Sequence, residues 1–173
     1  RPLTLPPHAL PGLLAALLWS GLLNTRIGFI NEVILGGAHI PWLTDPWLAK
    51  LSVLGVNLWL GFPYMFLICT GALQSLPSDV MEAAKIDGAG RWTTWRAITL
   101  PLLLISTAPL LISSFAFNFN NFTLIYMLTG GGPRFADASV PLGHTDILIS
   151  MVYSISGVAG AAQKDLGLAS ALS

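Results

Sequence analysis

The sequence predicts an all-α, polytopic transmembrane helical bundle, and three observations carry that reading. Only 9% of the residues are charged and 54% are hydrophobic, with mean hydropathy +0.71; a water-soluble domain carries about 25% charged residues. The charges are bunched, leaving 24 uncharged residues between Arg1 and Arg26, 28 between Lys50 and Asp79, and 37 between Arg96 and Arg134. The one long polar stretch, residues 78–101, separates the second interval from the third and carries Asp79, Glu82, Lys85, Asp87, Arg91 and Arg96.

A membrane helix needs about 20 apolar residues, which all three intervals supply. In the first, residues 10–23 are dense in Leu, Ala and Trp, and Pro11 stands near the start, where a helix tolerates it. Spans are expected at about 9–24, 51–76 and 98–128. Between Asp146 and Lys164 lie 17 uncharged residues broken by Ser150, Tyr153, Ser154, Ser156 and Gly157. That stretch is too short and polar to cross and is expected to form a helix on the membrane surface at about 145–156. Residues 165–173 are apolar after Asp165 but too few to cross, and read as the start of a further span. The chain begins at Arg1 without an initiator Met, and no basic leader precedes the first apolar run. That run therefore reads as a span rather than a signal peptide, and the chain as a fragment of a longer subunit.

Loop charges orient the bundle. The loop after the second span carries Lys85, Arg91 and Arg96; residues 24–50 carry two basic residues at their ends, and residues 129–146 only Arg134. The positive-inside rule puts residues 78–97 in the cytoplasm. The turn Gly130-Gly131-Gly132-Pro133 then lies outside, where it ends the third helix; a docking role for that turn is the alternative. Pro41, Trp42, Pro46 and Trp47 fit an interfacial aromatic belt. No internal repeat or soluble domain is evident. Net charge is zero and no basic patch points to nucleic acid. Cys69 is the one cysteine, mid-span, and reads as packing.

The polar stretch reads as a capped, stopped helix. Pro77 precedes it, and Ser78 or Asp79 can accept from first-turn N–H groups. Asp79 and Glu82 stand three apart, an Asp version of the capping box. Gly88 supplies the left-handed residue that ends a helix. Ala83 and Ala84 leave one face nearly without bulk, which suits close approach to another protein.

Polar residues also lie inside the spans. Asn57, Gly61 and Tyr64 stand at i, i+4 and i+7 and share a helical face. Pro63 should kink that helix and open a concavity. Phe117, Asn118 and Asn121 are three and four apart and also share a face, whereas Asn120 points elsewhere and reads as structural. Trp59 reads as lipid-facing or packing. Amides suit hydroxyl groups, aromatic rings suit the C–H faces of a sugar, and a glycine admits a ring near the backbone. Such amides in a span either face a cavity or bond neighbouring helices, and spacing alone leaves both open.

Glu82-Ala83-Ala84, three residues, Gly88, nine residues, Ile98, one residue and Leu100-Pro101 match the EAA loop of ABC importer permeases at every defined position. The runs 57–64 (NLWLGFPY), 87–90 (DGAG) and 114–122 (SFAFNFNNF) narrow this further. Over nearly the whole chain it resembles the MalF-type subunit of maltose/maltodextrin ABC transporters. The resemblance implies a fold of the ABC importer permease type in the cell (inner or plasma) membrane. It implies a sugar pocket lined by Asn57, Gly61, Tyr64, Phe117, Asn118 and Asn121. It implies coupling to an ATPase through Glu82, Ala83, Ala84, Asp87 and Gly88. Implied partners are two ABC ATPase subunits, a second, MalG-like permease subunit, an extracytoplasmic sugar-binding protein and membrane lipid. The family also has earlier spans and a large external domain, so the fragment alone is not expected to transport.

No enzyme, cofactor or metal site is expected. His8, His39 and His144 are far apart and outside the spans, and no carboxylate pair lies within one. CxxC, HExxH and the phosphate-binding GxxxxGK[ST] are absent from the sequence, so hydrolysis of ATP would fall to a partner. Two other readings stand beside the maltose one: an ABC permease for another sugar or a non-sugar solute, and a structural membrane subunit without a translocation site.

Overall fold

The computed structural model describes residues 10–136, 142–157 and 165–172. Among these the backbone is helical, joined by loops and a single antiparallel bridge between Arg134 and Gly143. The all-α expectation holds. Two helices of 29 residues, Pro46–Gln74 (α2) and Arg91–Phe119 (α4), are long and apolar enough to cross a membrane. Each runs about 43 Å at 1.5 Å per residue, against roughly 30 Å of bilayer hydrocarbon. A helix of a soluble core would be mostly buried; the most apolar windows of α2 and α4 are 17% and 6% buried. His8, residue 9 of the first expected span and residue 173 of the last lie outside the described residues.

The chain divides into two compact units, Arg1–Leu60 with Phe119–Ser173, and Gly61–Asn118. In the first, Gly12–Leu22 (α1) starts behind Pro11, whose fixed φ of −55° is ready for helix. Ala15 and Ala16 are wholly buried, and α1 packs along Phe122–Leu128 (α5). Small residues here let the two backbones approach. Ala16, Leu23, Val56, Leu124 and Leu128 form the buried centre, ringed by Trp19, Trp42, Leu60 and others. Trp59 packs edge-on against Trp19, with ring centroids 5.5 Å apart.

Asn31 ties the connection from α1 to α2. Fully buried, it donates from Nδ2 to the carbonyls of Thr25 and Ile40, both at 3.0 Å, and accepts from Trp42 Nε1 at 2.8 Å. Its amide thus pairs the Trp42 indole and adds a second polar contact to each carbonyl, beside Trp42 N–H on Ile40 and His39 Nδ1 on Thr25. Asp45 then caps α2, its Oδ1 accepting from the N–H groups of Trp47 and Leu48 at 3.0 Å. Pro63 lies inside α2, its side chain fully buried, and the helix continues to Gln74.

In the second unit, Ser78–Ile86 (α3) joins α2 to α4. Residues Trp95–Thr99 of α4 form a π-helical turn, in which Leu100 N–H reaches back five residues to the Trp95 carbonyl. The cause lies just ahead: Pro101 has no N–H to donate and its ring crowds the carbonyl of Ala97, so the turn widens.

The third expected span, 98–128, is not one helix. α4 ends at Phe119, and α5 begins at Phe122. Asn121 has left the helical region, with φ −78° and ψ 70°, and its Oδ1 accepts from Leu124 N–H at 3.3 Å. Phe122 N–H turns back to the Asn120 carbonyl at 2.8 Å. A side-chain amide that can serve the backbone offers an alternative to continued helix.

Beyond α5 the described residues are held by a set of side-chain hydrogen bonds. Thr145 Oγ1 donates to the Gly132 carbonyl at 2.7 Å and lies 2.7 Å from Thr129 Oγ1. Asp146 accepts from Gly143 N–H at 2.8 Å and from Ser150 Oγ at 2.7 Å. Gly131, at φ +81°, lies so close to the Asp146 carboxylate that a Cβ there would collide with it. Leu148–Ile155 (α6) follows, then Leu166–Leu172 (α7). Phe122, Tyr126 and Tyr153 meet as a ring cluster joining α5 to α6.

Candidate functional site

The coupling candidates lie on α3 and its exit. The expected cap does not form: Pro77 is the N-cap, no side chain accepts from the first turn, and Ser78 Oγ donates instead to Asp79 Oδ1 at 3.2 Å. Asp79 still places a negative charge at the positive end of the helix. The stop does form. Gly88 adopts φ +74°, Gly88 N–H bonds the Lys85 carbonyl at 3.1 Å and Ala89 N–H bonds that of Ala84 at 2.9 Å. A residue with a Cβ resists that backbone.

Exposure separates the two alanines. Glu82, Ala83, Asp87 and Gly88 are exposed, whereas Ala84 is 5% exposed. Ala84 was expected on the docking face; it packs within its own chain, because it stands about 100° round the helix from Ala83. The outer face gains a residue the sequence reading passed over. Ile86 is 85% exposed, four residues from Glu82 and three from Ala83, and so completes a carboxylate–methyl–sec-butyl face. Its signal was present: a large aliphatic at helical spacing from the motif's Glu.

The two sets of substrate candidates are placed differently. Asn57, Gly61 and Tyr64 lie on the uninterrupted α2 and share its face. Asn57 is half-buried and Tyr64 is exposed, and neither side chain has a hydrogen-bond partner among the described residues. A Cβ on Gly61 would meet nothing within 4 Å.

Phe117 and Asn118 lie on the last turn of α4, both exposed, with Asn118 Nδ2 donating to the Ser114 carbonyl at 2.8 Å. Its Oδ1 is left for another donor. Asn121 does not share their helical face, since the helix ends between them and its amide caps α5. Within the second unit no hydrogen bond or ring contact joins Tyr64 to Phe117 or Asn118 among the described residues. His39 and His144 are held separately, the first 3.3 Å from the Thr25 carbonyl and the second against the Phe135 ring.

The chain matches the family described as binding-protein-dependent transport system inner membrane component over residues 2–163. It is 48% identical over 99% of its length to the maltose/maltodextrin transport system permease protein MalF of Vibrio parahaemolyticus, covering 33% of that protein. It is 47% identical to the protein of the same name from Vibrio vulnificus and 44% identical to that from Klebsiella aerogenes, over 33% and 34% of their lengths. The chain thus spans about a third of the curated relatives it matches. An exposed helix stopped at Gly88, between two apolar 29-residue helices, agrees with that match, and the chain belongs to the family of inner-membrane components of binding-protein-dependent transport systems, a transport family and not an enzyme family.

Proposed function

We propose that this chain is the membrane-spanning part of a permease subunit in an ABC importer for maltose, maltodextrin or a similar oligosaccharide. The observation that carries the reading is α3, nine residues long, tethered between α2 and α4 and presenting Glu82, Ala83 and Ile86 outward. A helix so placed is a handle. It lies on the cytoplasmic side, where one of two ATPase subunits grips it, Glu82 making a charge-assisted contact and Ala83 admitting the partner's backbone. Closure of the ATPase pair on ATP moves the handle as a rigid piece. The long helices fastened to its ends then rock and switch access to the sugar.

The sugar is delivered by an extracytoplasmic binding protein, and a second, MalG-like permease subunit completes the pathway. Asn57, Gly61 and Tyr64 supply one wall, where the open space over Gly61 admits a sugar ring, and Phe117, Asn118 and Asn121 supply further contacts. The names of the similar proteins support maltose or maltodextrin as cargo.

The test is uptake of labelled maltose, with sucrose and an amino acid as controls, by vesicles holding the complete complex. Native complex should import maltose at the expense of ATP, and Glu82→Lys should hydrolyse ATP without import. Normal import by Glu82→Lys would remove the handle from the mechanism, and import of the amino acid alone would remove the sugar.

A further inference from the structure

The start of α4 carries an arrangement that coupling and sugar binding do not use. Trp92 and Trp95 stack with ring centroids 5.1 Å apart and planes 19° from parallel. Both are exposed, 68% and 45%, which is unusual for two large rings side by side. Arg91 stands four residues from Trp95, and Arg96 four from Trp92, so the guanidiniums flank the indoles on one side of the helix. Both arginines are exposed, and neither has an ion-pair partner among the described residues. Arg96 is also the last charge before 37 uncharged residues. The cluster therefore sits where an exposed apolar helix leaves its polar end.

We propose that Arg91, Trp92, Trp95 and Arg96 form a lipid-headgroup site at the cytoplasmic membrane face, taking anionic phospholipids and fixing the depth at which α3 hangs below the bilayer. The proposal rests on the orientation given under the proposed function. Two chemistries meet here as they do in the headgroup layer. Indoles favour the boundary between hydrocarbon and water, and guanidinium forks match phosphate oxygens. The helix these residues begin continues into an apolar window only 6% buried, so the surface is continuous with one that lipid covers. A basic cluster beside a span attracts acidic headgroups in the same way. The stacked pair adds a broad, stiff wedge that resists movement along the membrane normal, so that force on α3 turns α4 rather than lifting it.

The experiment uses the complete complex in nanodiscs of phosphatidylcholine, with or without phosphatidylglycerol, whose acyl chains are brominated near the glycerol. The signal is the tryptophan fluorescence of native complex minus that of Trp92→Phe/Trp95→Phe. That difference should be quenched by brominated lipid. Phosphatidylglycerol retained through purification, counted by mass spectrometry, should fall by roughly fivefold for each of Arg91→Gln and Arg96→Gln. The proposal is overturned by a difference signal blind to bromine, by quenching that appears only once the ATPase is stripped away, or by unchanged lipid retention in the double arginine variant. Glu82→Lys separates the two ideas: it should leave quenching intact while uncoupling transport, and normal transport with quenching intact would sink the handle and keep the headgroup site.

Discussion

Truncating Ile86 to alanine asks whether α3 meets its partner through the face described. Ile86 is 85% exposed, so almost all of its apolar surface is available to a partner and almost none supports the subunit's own fold. The substitution removes three carbons beyond Cβ, worth about 0.8 kcal/mol each if fully buried on docking, or about 2 kcal/mol. That is roughly thirtyfold in affinity. Stability of the permease should move by no more than about 0.5 kcal/mol, as for other exposed positions. The assay is titration of fluorescent ATPase onto immobilised full-length permease in detergent, with thermal unfolding measured in parallel. Ala84→Leu is the contrast: it overpacks a buried position, should cost about 1–3 kcal/mol and should lower folded yield before it touches affinity. Unchanged ATPase affinity in Ile86→Ala would refute the assignment of the outer face. A large loss of stability in that variant would refute the claim that Ile86 is free of the fold.

Gly88→Val forces a β-branched residue into φ +74° at a cost of about 2 kcal/mol or more, and should yield membrane-inserted complex with poor coupling, read as ATP hydrolysed per sugar imported. Asn118→Ala and Tyr64→Ala each remove a polar group with free bonding capacity and should raise the sugar concentration for half-maximal uptake by about tenfold, leaving ATPase assembly intact; equal affinity in all three proteins would dissolve the sugar wall. Asn31→Leu strands the Trp42 indole and takes one donor from each of the Thr25 and Ile40 carbonyls, so unfolding of the purified complex should begin at lower temperature, by about 2 kcal/mol of lost stability. Gly131→Ala drives a methyl into the Asp146 carboxylate and should cost at least about 2 kcal/mol; recovery in Gly131→Ala/Asp146→Ala, where that carboxylate is gone, would assign the cost to the clash and not to the backbone.

The membrane class and the helical character were legible because they depend on sums over neighbouring residues. A 28-residue interval without charge is not stable as an exposed helix in water and needs lipid or a protein core around it. The short helix Ser78–Ile86 and its stop were legible for a similar reason, since they depend on helix spacing and on one backbone conformation at Gly88. The cap before it was misread. Ser78 and Asp79 have the chemistry, but Ser78 hydrogen-bonds Asp79 rather than the first turn, and composition does not choose between two nearby partners. The helix break within the expected third span was not legible. Hydropathy carries across Asn120 and Asn121, and a sum over a window does not see one amide turn from helix face to helix cap.

By itself the sequence determined that this chain is helical and that a short polar helix joins two long apolar ones, because those properties belong to residues within a turn or two of each other. Only the tertiary structure decided that Ala84 faces in while Ile86 faces out, that Asn31 holds a loop through partners six to eleven residues away, and that Asn121 caps a new helix. Those outcomes turn on which surfaces and amides find partners across the fold, and burial and hydrogen-bond satisfaction are settled between elements rather than along them.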